Sequence, residues 1–131
     1  MEITTNKKVL LIEDDLILSE MYQSKLEKEG FAVTTANDGE KGLTIALQDH
    51  PEIILLDILM PKMDGMALMK KLREDAWGLN VPIIILTNLN INDKINQGIR
   101  EDHPTYFFMK TEITPSDVVD RVKEVLKKPL A

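Results

Sequence analysis

Acidic residues stand directly after two short apolar runs of this sequence. Glu13, Asp14 and Asp15 follow the run of residues 9–12, and Asp57 follows the run of residues 53–56. Clustered carboxylates repel one another and raise each other's pKa unless a cation lies among them. Hard oxygen ligands without histidine or cysteine select Mg²⁺ or a similar ion. If the two runs lie side by side in the fold, these residues therefore predict a magnesium site.

Two further polar residues, Thr87 and Lys110, follow apolar runs later in the chain. Thr87 comes directly after residues 83–86, and Lys110 comes directly after residues 106–109. A metal, a lysine and a hydroxyl around one carboxylate are the groups needed to stabilise a phosphoryl group in transfer to that carboxylate. The sequence has no Walker loop and no G-x-G-x-x-G, so nucleotide binding is not indicated.

Each of these residues also has an ordinary structural explanation. Asp14 and Asp15 could cap a helix. Thr87 could cap a loop, and Lys110 alone would be a solvated surface residue. Asp57 is harder to explain in this way, because it follows four apolar residues with no basic residue beside it. All these residues stand at the ends of successive apolar runs, and this coincidence favours a functional site.

Five short apolar runs alternate with segments of helical spacing. Short, continuous runs rich in β-branched residues favour strands that are buried on both faces of a parallel sheet. Five strand–helix units in about 125 residues imply right-handed crossovers and a doubly wound, three-layer α/β sandwich. Ligands of such folds collect at the carboxyl ends of the strands, where the polar residues above would lie. The predicted strands are 9–12, 31–35, 53–56, 83–86 and 106–109, and the predicted helices lie around 18–26, 37–47, 68–72, 91–102 and 114–126.

The first helix is predicted from a stripe of apolar residues. Leu18, Met21, Tyr22 and Leu26 have the spacing of one helix face, and Gly30 stands where a C-terminal cap would fall.

The last two predicted helices carry opposite signals. Thr114 as the cap, Pro115 in the first turn and Asp117 three residues after the cap predict a well-defined helix start. The 91–102 segment has a thin stripe of isoleucines among asparagines and Gly98, which are poor helix formers. It is either a short surface helix held by its neighbours or a segment kept loose for switching.

Composition places the chain among single-domain globular proteins. It has 131 residues, of which 44% are hydrophobic and 29% charged, and this argues against disorder. The absence of cysteine excludes thiol chemistry, and the two histidines stand too far apart in sequence to favour a histidine-built metal site. A net charge of −6 gives no attraction for nucleic acid or an anionic membrane. No apolar run is long enough to span a bilayer and the N-terminus has no secretory signal, so we expect a soluble cytoplasmic protein.

With these residues the sequence resembles the receiver domain of two-component response regulators. The resemblance extends from Lys8 to about Lys128 and rests on residues 9–15 and 55–65, together with Thr87 and Lys110. It implies a flavodoxin-like, five-stranded parallel sheet with strand order 2-1-3-4-5. We therefore expect residues 1–131 to form a single receiver domain, with its core at about residues 8–128.

The resemblance also implies the chemistry of the site. Asp57 would accept a phosphoryl group from a phosphohistidine of a sensor kinase or of a histidine phosphotransfer protein. Glu13 and Asp14 would hold Mg²⁺ together with the Asp57 carboxylate and the backbone carbonyl of Leu59, whereas Asp15 would mainly begin the first helix. Such a domain is a signalling phosphoacceptor that assists its own phosphorylation and dephosphorylation, not an enzyme.

The same resemblance implies a conformational switch. Thr87 and Lys110 would bind the phosphoryl oxygens, and Thr87 would act in switching with Phe107, or alternatively with Tyr106. The switch would remodel the face made by the 91–102 segment, the fifth strand and the last helix. A downstream protein partner, or a second copy in a weak homodimer, would dock there, and the domain would otherwise be a monomer.

Two alternative functions have different sequence requirements. A haloacid-dehalogenase-like phosphatase also uses an aspartate nucleophile, but it needs a second aspartate two residues later, where this chain has Leu59. A receiver-like interaction module that is never phosphorylated would be indicated by loss of Asp57, Asp14 or Lys110, and all three are present. The chain ends near the expected end of the last helix, so it is either a stand-alone receiver or one in which Pro129 begins a linker to a further module.

Overall fold

The structure is a computed structural model that describes residues 7–57, 65–87, 105–109 and 113–127. The predictions for the Leu59 carbonyl, the Lys110 side chain and the 91–102 helix lie outside the described residues. For Thr87 and Phe107 the structure describes the backbone alone.

The described strands form one parallel sheet flanked by helices. Adjacent strands pair in the order β2-β1-β3-β4-β5, and all four pairings are parallel. The predicted doubly wound architecture and strand order are therefore confirmed. In chain order the elements are β1 (Lys8–Ile12), α1 (Leu16–Lys28), β2 (Ala32–Ala36), α2 (Gly39–Asp49), β3 (Ile53–Leu56), α3 (Gly65–Arg73), β4 (Ile83–Thr87), β5 (Thr105–Met109) and the last helix (Pro115–Lys127).

The core lies on both faces of the sheet, because successive side chains of a strand point to opposite faces. On β1, Leu10 and Ile12 pack in a cluster with α3, whereas Val9 and Leu11 pack in a cluster with α1 and the last helix. Strands β1, β3 and β4 are therefore buried on both sides, as their continuous apolar runs predict. Each fully buried Leu or Ile contributes roughly 1.5–3 kcal/mol relative to its exposed state.

Helix α2 approaches β1 unusually closely. A Cβ atom at Gly42 would lie 2.5 Å from Cδ1 and 2.9 Å from Cγ1 of Ile12. Ile12 is fully buried, so its side chain has little room to move away. Glycine at position 42 therefore sets the distance between this helix and the strand that ends beside Glu13.

The start of the last helix has the predicted geometry. The Thr114 backbone N–H donates to Oδ2 of Asp117 at 3.0 Å, and the Asp117 N–H donates to Oγ1 of Thr114 at 3.1 Å. These reciprocal bonds satisfy two helix-start donors, and the prediction from Thr114, Pro115 and Asp117 is confirmed.

The helix predicted from the apolar stripe of residues 18–26 is confirmed as α1, but the stripe is not buried throughout. Tyr22 and Leu26 are buried, whereas Met21 is 43% exposed and Ser19 is buried. The four apolar residues of the stripe span a wider arc of the helix surface than the sheet can bury. Met21 lies at the solvent edge of that arc, and the buried line runs through Ser19, Tyr22 and Leu26.

Candidate metal centre

The carboxyl ends of β1 and β3 hold Glu13 and Asp57 side by side. Ile12 and Leu56 are partners in the pairing of these strands. The backbone N–H of Asp57 donates to the carbonyl of Ile12 at 3.0 Å, and that of Glu13 donates to the carbonyl of Ala36 at 3.0 Å. The hydrogen-bonded ladder therefore continues one residue past the strands and fixes the backbone from which both carboxylates project.

Three acidic side chains converge at this edge. One carboxylate oxygen from each of Glu13, Asp14 and Asp57 lies within 4.8 Å of the other two. Glu13 is 2% exposed and Asp57 is 7% exposed, whereas Asp14 is exposed to solvent. Three negative charges this close repel one another. A divalent cation bound among them would attract all three carboxylates and offset that repulsion.

The donor set of this acidic group fits a hard cation. Every donor is a carboxylate oxygen, and neither histidine nor cysteine contributes to the group. Mg²⁺ is commonly held by one or two carboxylates and keeps several waters, which leaves positions for a phosphoryl oxygen. The residues present therefore fit Mg²⁺, with Asp14 on the solvent side where an ion would enter.

Asp15 has a different environment from its two acidic neighbours. Its Oδ1 accepts the backbone N–H groups of Ile17 at 2.9 Å and Leu18 at 3.1 Å, so Asp15 is the N-cap of α1. The Asp15 N–H in turn donates to Oε2 of Glu13 at 3.2 Å, which helps to orient the Glu13 carboxylate. This geometry supports the expectation that Asp15 begins the helix while Glu13 and Asp14 face the acidic group.

The remaining predicted site residues are described only in part. Thr87 is the last residue of β4, and its backbone pairs with Met109 on β5, so it reaches the same edge of the sheet as Asp57. Tyr106 is half-buried and packs against the cluster that contains α1 and the last helix. Phe107 pairs with Ile85 through the backbone. The contacts of Thr87 and Lys110 with a phosphoryl group remain predictions, and so does the role of Phe107 in the switch.

Two exposed apolar side chains stand beside the acidic group and were missed by the sequence reasoning. Leu16 is 66% exposed and Ile17 is 73% exposed, immediately after the acidic residues. The available signal was that both lie off the apolar stripe that begins at Leu18. A surface apolar pair next to a charged site marks a candidate contact surface.

Among the helices that the structure describes, none combines the length and the apolar character needed to cross a membrane.

This chain is similar to known proteins in both sequence and fold. The family model of the response regulator receiver domain matches residues 9–123. The DNA-binding dual master transcriptional regulator RpaA of Synechocystis is 34% identical over 122 residues, which are 92% of this chain and 49% of that protein. The transcriptional regulatory protein PhoP of Bacillus subtilis is 32% identical over 123 residues, 94% of this chain and 50% of that protein. The chain thus spans about half the length of these curated relatives.

Solved structures agree with the sequence comparison. The receiver domain of the Francisella response regulator 1452 superposes with a TM-score of 0.81 at 29% identity, covering 93% of this chain and 98% of that one. The chemotaxis response regulator CheY4 of Vibrio cholerae superposes with a TM-score of 0.81 at 26% identity, covering 91% of this chain and 98% of that one. None of these matches supports the haloacid-dehalogenase alternative. The chain belongs to the receiver-domain family of two-component response regulators and is a signalling domain.

Proposed function

We propose that Asp57 is the phosphoacceptor of this receiver domain and that it takes the phosphoryl group from a phosphohistidine in a Mg²⁺-dependent reaction. The convergence of the Glu13, Asp14 and Asp57 carboxylates within 4.8 Å carries this proposal. Asp57 is the member of the group that follows the central strand β3 and precedes the family motif of residues 58–65.

The reaction is a displacement at phosphorus. A carboxylate oxygen of Asp57 forms a bond to phosphorus while the phosphorus–nitrogen bond of the phosphohistidine breaks. The imidazole nitrogen keeps the electron pair of that bond and takes a proton from solvent. The product is an acyl phosphate on Asp57, and the donor is restored as a neutral histidine.

The other residues have distinct roles in this proposal. Glu13 and Asp14, with the Leu59 carbonyl and Asp57, would hold Mg²⁺, which would neutralise charge on the phosphoryl oxygens and orient them. Glu13 is buried, and its carboxylate accepts a hydrogen bond from the N–H of Asp15, which helps to orient it. The Thr87 hydroxyl and the Lys110 ammonium would bind the remaining phosphoryl oxygens.

The output of the domain follows from the same proposal. Thr87 would move toward the phosphoryl group, and Phe107, or else Tyr106, would fill the vacated space. The remodelled face of the 91–102 segment, β5 and the last helix would bind a downstream protein or a second copy. We place this activity in the cytoplasm, where a sensor histidine kinase or histidine phosphotransfer protein would supply the phosphoryl group, and we assign it to one domain that covers residues 1–131.

Intact-mass measurement tests the proposal. The chain is incubated with phosphoramidate and Mg²⁺, and in parallel with EDTA in place of Mg²⁺. We expect a mass gain of one phosphate in the wild type with Mg²⁺, and none in the EDTA sample or in Asp57→Asn. Equal labelling of wild type and Asp57→Asn would refute the assignment of the phosphoacceptor.

A further inference from the structure

A cavity of about 340 Å³ lies at the edge of the sheet opposite the acidic group. Three of the residues that line it, Lys7, Glu52 and Pro82, each directly precede a strand. They therefore mark the edge where the parallel strands begin, whereas Glu13 and Asp57 follow the strands at the other edge. We call this space the amino-edge cavity.

The walls of the amino-edge cavity are mainly apolar. Trp77, between α3 and β4, stacks on His50 at the end of α2, with ring centroids 4.4 Å apart and ring planes 10° from parallel. Val125 and Leu126, in the last turn of the final helix, are half-buried and also line the cavity. An apolar cavity of about 150 Å³ already holds a molecule as large as benzene. The amino-edge cavity therefore has room for a branched aliphatic side chain and the adjoining backbone.

Hydrogen bonds within the domain hold the Trp77 wall in place. The backbone N–H of Trp77 donates to Oδ2 of Asp75 at 2.9 Å. Nη1 of Arg73 donates to the carbonyl of Gly78 at 2.7 Å and to that of Val81 at 2.8 Å. The wall thus keeps its shape without an occupant, as is usual for a binding cavity.

The chain that follows the last helix starts at the rim of this cavity. The helix ends at Lys127, one residue after Leu126, and the sequence continues with residues 128–131, in which Leu130 is the one large apolar residue. Pro129 has no backbone N–H and disfavours the helical conformation of the residue before it, so it favours a change of chain direction here. Leu130 is three residues beyond Lys127, which allows a reach of up to about 10 Å.

The N-terminal segment is a weaker candidate for the same space. The carbonyl of Lys7 accepts the N–H of Ala32 at 3.0 Å, so the chain at Lys7 continues the ladder between β1 and β2. An extended chain at this point is aimed along the strand axis, out of the sheet. Ile3, the nearest large apolar residue before Lys7, stands four residues away.

We infer that the side chain of Leu130 occupies the amino-edge cavity, between Trp77 and the last turn of the final helix. The occupied cavity ties residues 128–131 to the segment between α3 and β4, and it sets the direction in which the chain leaves the domain. This inference is independent of the proposed role of Asp57.

Tryptophan fluorescence tests the inference, because Trp77 is the single tryptophan of the chain. The variant Leu130→Gln is compared with Leu16→Gln, in which a leucine that is 66% exposed at the other edge of the sheet is changed in the same way. Leu130→Gln should make Trp77 more accessible to acrylamide quenching. It should also lower Tm by about 4 °C or more, because a buried leucine is lost. Leu16→Gln should change neither quantity.

A proximity measurement leaves Leu130 itself intact. The chain has no cysteine, so Ala131→Cys can be labelled at one position with bimane, whose emission tryptophan quenches on contact. We expect weak bimane emission when Trp77 is present and strong emission after Trp77→Phe, which keeps an aromatic ring in the wall. The same label on Leu16→Cys should be equally bright with either residue at position 77.

Each contrary result identifies a different arrangement. Unchanged acrylamide quenching in Leu130→Gln, whatever its Tm, would overturn the inference, and so would bimane emission at position 131 that is independent of Trp77. Quenching of bimane that grows with protein concentration would assign the cavity to a second copy of the chain. An increase in acrylamide quenching that Ile3→Gln produces and Leu130→Gln does not would assign it to the N-terminal segment, and either assignment would overturn the inference.

Discussion

Replacement of Asp15 separates the capping of α1 from the binding of a cation. In the Asp15→Ala variant the N–H groups of Ile17 and Leu18 lose the carboxylate oxygen that they contact at 2.9 and 3.1 Å. Loss of such a cap costs about 1 kcal/mol. For a domain of 131 residues, that free energy corresponds to a decrease of about 4 °C in Tm. Asp15→Asn keeps an oxygen acceptor, so its stability should stay within about 0.5 kcal/mol of wild type.

The assay pairs thermal unfolding, followed by circular dichroism, with phosphoramidate labelling in Mg²⁺. Both Asp15 variants should be labelled at close to the wild-type rate, although the alanine variant melts earlier. Asp14→Ala should lose labelling and its dependence on Mg²⁺ with little loss of stability, because Asp14 is exposed. If Asp15→Asn lost labelling as completely as Asp14→Ala, Asp15 would belong to the metal site and our assignment would be one residue out of register.

Three further predictions follow from other parts of the fold. Gly42→Ala should destabilise the domain by about 1–3 kcal/mol in urea unfolding, because its Cβ would meet Ile12 at 2.5 Å; adding Ile12→Val should recover part of that loss, and a Gly42→Ala variant as stable as wild type would contradict the packing. Hydrogen bonds from the backbone and hydroxyl of Thr114 lower the pKa of Asp117 below its ordinary value of 3.8. The stability advantage of wild type over Asp117→Asn should therefore be complete well above pH 3.8 and be lost as the pH falls through the lower folded-state pKa. An advantage that did not shrink as the pH fell would refute this. Beryllofluoride with Mg²⁺ should change hydrogen-exchange protection across residues 88–112 if the switch operates as proposed, whereas unchanged protection with the site occupied would leave it unsupported.

Sequence patterns predicted the sheet because burial determines the composition of its strands. Strands β1, β3 and β4 are covered by helices on both faces, so nearly every position in them must be apolar. The edge strand β2 is more exposed and gave the weakest signal, and its bounds are Ala32–Ala36 rather than the predicted 31–35.

The side-chain environments of α1 could not be obtained from sequence alone. Helical spacing identifies an apolar arc but not which part of that arc the sheet covers. Met21 therefore belongs to the predicted apolar stripe although the structure exposes it, and the exposed Leu16 and Ile17 were not singled out. The roles of the three successive acidic residues were easier to assign. An N-cap must directly precede the helix, and Asp15 occupies that position.

Chemical mapping of the phosphorylated residue tests the central claim most directly. The chain is labelled with phosphoramidate and Mg²⁺ and then reduced with borohydride, which converts an aspartyl phosphate to homoserine. The peptides are sequenced by tandem mass spectrometry. We predict homoserine at Asp57 alone, with Glu13 and Asp14 unmodified. Modification at Asp14 instead of Asp57, or labelled protein with no homoserine at position 57, would contradict the account.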